Sequence, residues 1–138
     1  MAGVKNIFDV VGRSMGAQIV RMNTIASNLA NMESKASTSE DAFKPIRPVF
    51  ETVFSDNYNE NGIATVDAMR VVALNRNPER IFEPGHPSAD ESGYVYKAAV
   101  NSDEEMVEML EASRQYQNNI EVLSTVRALM MRTINMGK

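Results

Sequence analysis

The chain has no cysteine and no tryptophan, and a single histidine, His86, in 138 residues. Without cysteine there are no disulfides, no thiol nucleophile and no thiolate metal site. One histidine cannot form a histidine cluster for zinc. Positive charge is also short: 14 basic against 18 acidic residues leave a formal charge of −4. A protein that coats nucleic acid needs a basic excess to release counterions, so no nucleic-acid partner is expected. No apolar run approaches the roughly 18 residues that span a bilayer, and no direct membrane insertion is expected. The opening segment, MAGVKNIFDVVGRSMG, is broken by Asp9, Gly12 and Arg13, so it does not read as a secretory signal. With 43% hydrophobic and 23% charged side chains, the chain suits one compact domain or two small halves, not a multi-domain enzyme.

Proline is scarce and unevenly placed, and its placement divides the sequence. All five prolines lie within 32–102. Residues 1–31 carry none and have a net charge of +2, from Lys5, Arg13 and Arg21 against Asp9. Residues 103–138 also lack proline, have a net charge of −2 and hold five of the ten methionines. Two long helices around an irregular, β-containing middle are predicted: a mainly α fold with a small antiparallel β insert, in the α+β class.

In the first segment Val4, Phe8, Val11, Met15, Gln18, Met22, Ile25 and Leu29 advance by alternating steps of four and three, a coiled-coil seam broken only by Gln18. Ile7, Ile19 and Ala26 widen it. Asn31 is a suitable helix end, since Asn tolerates the left-handed conformation. In the last segment Ser102 and Glu105 fit a capping box, with Asp103 and Glu104 at the positive end of the dipole. Met106, Met109, Tyr116, Ile120, Leu123, Met130 and Ile134 continue as a seam, with Ser113 and Arg127 as polar breaks and Leu110, Val126 and Leu129 beside it. At about 1.5 Å per residue the helices run roughly 40 and 50 Å, long for so small a chain.

The middle alternates like strands. Residues 47–54 and 63–74, around Asn61-Gly62, read as a hairpin whose start Pro48 confines to an edge. Pro84-Gly85 suits a type II turn, and Ser92-Gly93 a second turn before the strand Tyr94-Val95-Tyr96.

Two amphipathic helices of opposite net charge can pair, yet a two-helix hairpin leaves much of so wide a stripe in water. The exposed apolar area would reach roughly several hundred Å2, which calls either for further chains or for the β element to fold back over it. Asn23, Ser27, Asn28 and Asn31 either fix register across a helix interface or belong to a solvated helix end. His86, between two prolines in Glu83-Pro84-Gly85-His86-Pro87, reads as a loop histidine. A hydrolytic role with Ser88 or Asp90 lacks any nucleophile-elbow motif. Glu104, Glu105, Glu108 and Glu111 read as a solvated helix face, and Met130 and Met131 as adaptable packing surface.

These motifs together resemble the bacterial flagellar axial proteins of the rod and hook, nearly end to end. The resemblance rests on Asn6-Ile7-Phe8-Asp9 and on Arg21-Met22-Asn23 through Ala26-Ser27-Asn28-Leu29-Ala30-Asn31. It continues through Glu83-Pro84-Gly85, Pro87, Ala89-Asp90 and Gly93-Tyr94-Val95. It ends with Glu105-Met106-Val107, Ala112-Ser113-Arg114, Tyr116-Gln117, Asn119-Ile120-Glu121-Val122-Leu123 and Thr125. Lys97-Ala98-Ala99-Val100-Asn101 departs from the family, which usually has Pro-Asn before the Val.

The resemblance implies a structural rod subunit with no catalytic residue, cofactor or metal. Residues 1–31 and 103–138 would form a coiled-coil domain stacked helically around a channel, and 32–102 a loop and small β-rich outer domain. Partners would be other copies, sister rod proteins and the flagellar type III export apparatus, with a periplasmic destination. On that basis Met22, Ile25, Leu29, Leu110, Tyr116, Ile120, Leu123 and Met130 are expected to serve core and subunit packing. Asn28, Asn31, Arg114 and Gln117 are expected to set polar register. The alternative is a soluble coiled-coil adaptor or export chaperone closed as a small oligomer.

Overall fold

The computed structural model describes residues 2–54 and 64–138. The proline-free ends are helical, as the apolar spacing requires: α1 spans Ala2–Asn31 and α2 spans Ser102–Met136. Between them lie β1 (Lys35–Ala36), β2 (Ile46–Phe54), β3 (Ala64–Ala73), β4 (Glu79–Phe82) and β5 (Tyr94–Lys97). The chain is therefore α+β, with two long helices and two small antiparallel sheets.

α1 ends where Asn31 turns its Nδ2 back onto Ser27 O (2.8 Å) and the Ser34 N–H reaches Asn31 O (3.0 Å). No left-handed residue is needed there: among the described residues only Gly93 has positive φ. The start of α2 differs from the capping-box expectation. Asn101 is the N-cap, its Oδ1 accepting the N–H groups of Asp103 (3.0 Å) and Glu104 (3.3 Å). Ser102 is already helical, and the Glu105 carboxylate is engaged elsewhere instead of bending back to the cap.

β2 and β3 form the expected hairpin, in register from Ile46↔Ala73 to Phe54↔Ala64, with an irregularity between Val49 and Phe50. The Asn61-Gly62 turn signal lies outside the described residues. The ladder extends past the strands, where Leu74 N–H donates to Pro45 O (2.8 Å). A second sheet runs β1-β5-β4, all antiparallel, with Val95 fully buried on the central strand.

The loop joining β4 to β5 is held by two turns. His86 N–H donates to Glu83 O (3.1 Å) around Pro84-Gly85, as the sequence suggests, but Gly85 does not take the positive φ of a type II turn. Gly93 does, at +80°, and a Cβ there would lie 3.0 Å from both Phe82 and Pro84. Asp90 closes the second turn, accepting from the Ser92 and Tyr94 N–H groups at 2.9 Å each. Its carboxyl sits below the ordinary range, chiefly because of that Tyr94 hydrogen bond. Arg80 stacks over the Tyr94 ring (3.9 Å) while Phe82 meets the same ring edge-on.

The interior is thin. Among the described residues the buried hydrophobic side chains are Val11, Ala17, Ile25, Ala42, Val95, Ala98 and Ala112, four of these seven alanines, and Pro45 is fully buried as well. Among the described residues burial is spread along the helix pair and under the sheets, with no single block of large side chains.

Candidate functional site

α1 and α2 pair antiparallel. Their cross-links run in opposite directions along the two helices: Asn28 to Glu105, Arg21 to Glu108, Met22 to Ser113, and Ser14 to Asn119. The inward line of α2 is Glu105, Met109, Ala112, Tyr116, Asn119, Leu123, Val126 and Met130, all buried or half-buried. It shares Met109, Tyr116, Leu123 and Met130 with the expected seam. At the alternate positions it turns one residue earlier, so that Glu105, Ala112, Asn119 and Val126 face inward. Met106 and Ile120 then lie largely in water.

A buried polar junction explains that rotation. Glu105 is completely buried, and its carboxylate accepts from Arg47 Nη2 (2.6 Å), Arg47 Nη1 (2.9 Å) and Asn28 Nδ2 (3.1 Å). Asn28, also fully buried, grips the main chain of Ile46 like a neighbouring strand. Its Oδ1 accepts the Ile46 N–H (2.8 Å) and its Nδ2 donates to Ile46 O (3.0 Å). Each partner comes from a different element: Asn28 from α1, Arg47 from β2, Glu105 from α2. Beside them Arg76, just past β3, forms a two-pronged pair with Glu104 (2.7 and 2.8 Å). That hydrogen bonding holds the Glu104 carboxyl below its ordinary range and raises the Arg76 guanidinium above its own. The acidic run is therefore not the solvated face expected from spacing. Glu105 is an interior ligand of Arg47, Glu104 pairs with Arg76, and Glu108 pairs with Arg21. Unpaired buried charge is too costly to persist, so each inward carboxylate carries a guanidinium with it.

The remaining anticipated residues fall into two groups. Ile25 is buried in the helix pair; Met22, Leu29, Tyr116, Leu123 and Met130 are half-buried. Leu123 lines a shallow groove with Phe8, Ile120, Ser124 and Arg127. Leu110 is 69% exposed and Ile120 46% exposed, and Arg114 and Gln117 face water. Asn31 bonds its own helix through Ser27 O. Gln18, the polar break in α1, keeps a buried Oε1 with no hydrogen-bond partner. The residues missed from sequence are Arg47, Arg76, Arg21 and Glu105. The available signal was an arginine at a strand start and an acidic first turn of opposite charge, which spacing alone does not connect.

His86 is taken up locally: its Nδ1 accepts the Ser88 main-chain N–H (3.0 Å) as part of the turn. Among the described residues no group of three His, Asp or Glu side chains could hold a metal ion. Nor is any helix among them long and apolar enough to cross a membrane.

The family model "Flagellar basal body rod FlgEFG protein C-terminal" matches residues 91–136, which covers β5, the Asn101 cap and α2. The flagellar basal-body rod protein FlgC of Salmonella typhimurium is 37% identical over 134 residues, covering 96% of this chain and 97% of that one. Its counterpart in Yersinia enterocolitica is 36% identical with the same coverage, and that of Aquifex aeolicus is 36% identical over the whole of both chains. The chain belongs to the FlgC family of flagellar basal-body rod proteins. As a FlgC-family protein it is a structural component of the flagellar rod, and hence of the motility apparatus. The FlgC relatives align through the middle as well as the helices, so the hairpin and the β4–β5 sheet fall within the shared length.

Proposed function

We propose that this chain is a subunit of the proximal rod that assembles helically through α1 and α2, with the β-containing middle outermost, and so transmits motor torque. Its neighbours are further copies and sister rod proteins, and it reaches the periplasmic rod through the flagellar type III export apparatus. The FlgC family is one of rod components, and no catalytic step is assigned to the chain.

One observation carries this reading. The folded chain leaves 9430 Å2 accessible, where a compact monomer of 15.3 kDa exposes about 7,100 Å2. Large apolar side chains are exposed on both helices: Ile7, Phe8 and Ile19 on α1, and Met106, Val107, Leu110, Ile120, Val122, Leu129, Met131, Ile134 and Met136 on α2. On α2 these residues lie on every side but the inward one, and on α1 they form a further patch, so a single partner face cannot cover all of them. Contacts that repeat without closing on themselves produce a helical tube, and many simultaneous apolar contacts make such a tube stiff enough to carry torque.

The test is sedimentation of the purified chain over a concentration series, with negative-stain microscopy of the heaviest fraction, for the native sequence and for Leu110→Asp. Open-ended growth in the native chain and its loss in Leu110→Asp, together with lost motility in cells carrying that variant, are expected. A closed dimer at all concentrations, unaffected by Leu110→Asp, would instead favour an adaptor or chaperone.

A further inference from the structure

We infer that the Asn28–Glu105–Arg47 junction is a three-way latch that makes docking of the β2–β3 hairpin conditional on pairing of α1 with α2. Each of the three elements supplies one side chain, and Glu105 joins the other two, while Asn28 and Arg47 both also bond the Ile46 main chain. Glu105 is fully buried and accepts three hydrogen bonds, two from the hairpin's Arg47 and one from α1's Asn28. Asn28 has both donors and its acceptor engaged, toward Ile46 and Glu105. Withdrawal of α1 takes away both the Glu105 partner and the surrogate strand that holds Ile46. Withdrawal of the hairpin leaves a buried carboxylate without its guanidinium, which is the costly state for such a pair.

The surroundings reinforce the arrangement. The hairpin grips the first turn of α2 at both of its ends, through Arg47 at the start of β2 and Arg76 beyond β3. The two ends are themselves joined by the Leu74-to-Pro45 hydrogen bond. The helix pair has separate ties farther along, Arg21 to Glu108 and Ser14 to Asn119, that do not involve the hairpin. Helix pairing can therefore survive without the hairpin, whereas among the described residues the hairpin has its fully buried polar anchorage at the latch. Such coupling is reciprocal: whatever stabilises the helix pair also fixes the orientation of the hairpin. This consequence is a property of the folded chain and does not depend on the assembly proposed above.

Because the chain has no cysteine, spin labels can be placed singly. Labels at Thr52→Cys and Gln115→Cys report hairpin against helix, and labels at Asn23→Cys and Gln115→Cys report helix against helix; all three positions are exposed. Electron–electron distances are followed through a denaturant series in the full chain. In the native background both distance distributions are expected to broaden at the same midpoint. In Arg47→Met or Glu105→Gln the midpoints separate, the hairpin releasing first, with its distribution about twofold wider before the helices part. Should a single variant lose its helices, Arg47→Met/Glu105→Met, an apolar pair of similar volume, takes its place and should restore helicity while leaving the hairpin loose. Separate midpoints in the native chain would overturn the latch. So would coincident midpoints in the single variants, or a narrow hairpin distance in the double variant.

Discussion

From Ser102 to Asn119, α2 is gripped by charge and amide; from Ile120 to Met136 it presents Val122, Leu129, Met131, Ile134 and Met136 to water. The polar ties of the first half go to three other elements: Asn28 and Arg21 on α1, Arg47 on β2, and Arg76 beyond β3. The second half has apolar faces on several sides, and its last residues are exposed throughout. A helix can be positioned or it can be sticky. Here one helix is both, in sequence. Directional polar groups fix a single geometry near the hairpin, where orientation matters. Exposed apolar side chains occur in both halves, at Met106, Val107 and Leu110 as well as beyond Ile120, but among the described residues the distal ones stand without such polar ties to the rest of the subunit.

That contrast can be broken most sharply at its two extremes. Glu105→Ala removes the carboxylate that binds the Arg47 guanidinium at both nitrogens and leaves this group, only 18% exposed, with the longer 3.7 Å contact to the Glu104 carboxylate. A loss of about 3 kcal/mol is expected, because a largely buried charge deprived of its hydrogen-bonded partner is poorly compensated by a longer contact. Leu129→Ala, in the distal half, should stay within about 0.5 kcal/mol, since it removes a side chain already in water. Urea unfolding followed by circular dichroism measures both. Equal losses at the two positions would erase the distinction between the halves of α2.

Acid sharpens the comparison from the same side. The Glu104 carboxyl is lowered chiefly by its hydrogen bonds from Arg76, with the Arg76 and Arg47 charges adding and desolvation opposing. A carboxyl whose pKa is lower folded than unfolded contributes stability that is full above the unfolded value of about 4.3. That stability is lost as pH falls through the folded value. Glu83, lowered by Lys35, and Asp90, lowered by the Tyr94 N–H, act in the same direction. Urea midpoints should therefore fall between about pH 5 and about pH 3 in the native chain. Glu104→Gln should flatten that fall in part, leaving the share due to Glu83 and Asp90. An unchanged acid slope would mean that the Arg76 pair does not hold α2.

Much of this arrangement can be read from periodicity. Steps of three and four, and the absence of proline from both ends, locate the helices; alternation around Pro48 and the β-branched run locate β2 and β3. What escapes is the rotation of α2 by one residue. Periodicity ranks Met106 above Glu105 for the interior because it weighs side chains singly. The choice is made by Arg47, 58 positions away in sequence. A buried carboxylate is acceptable only with its guanidinium, and that pairing exists only once the hairpin has docked. The helix start shows the same limit in miniature. Ser102 with Glu105 matches a capping box by spacing, yet Asn101 caps the helix because Glu105 is committed to the interior.

The smallest expected effect on the isolated chain is the one that bears most on assembly. Leu129→Ser and Met131→Ser replace exposed apolar side chains on the distal half of α2, away from every polar tie described above. Within the subunit they remove little packing, so unfolding should shift by no more than about 0.5 kcal/mol. If that surface is covered by neighbours in the rod, each copy loses an apolar contact at every repeat, and the losses accumulate along the tube. Concentration-dependent sedimentation of Leu129→Ser/Met131→Ser should therefore show weakened association beside an unchanged denaturation curve, with reduced motility in cells. A variant that assembles and swims normally would show that the distal face of α2 stays bare in the rod, and would leave Met106, Val107 and Leu110 as the surface on which subunits meet.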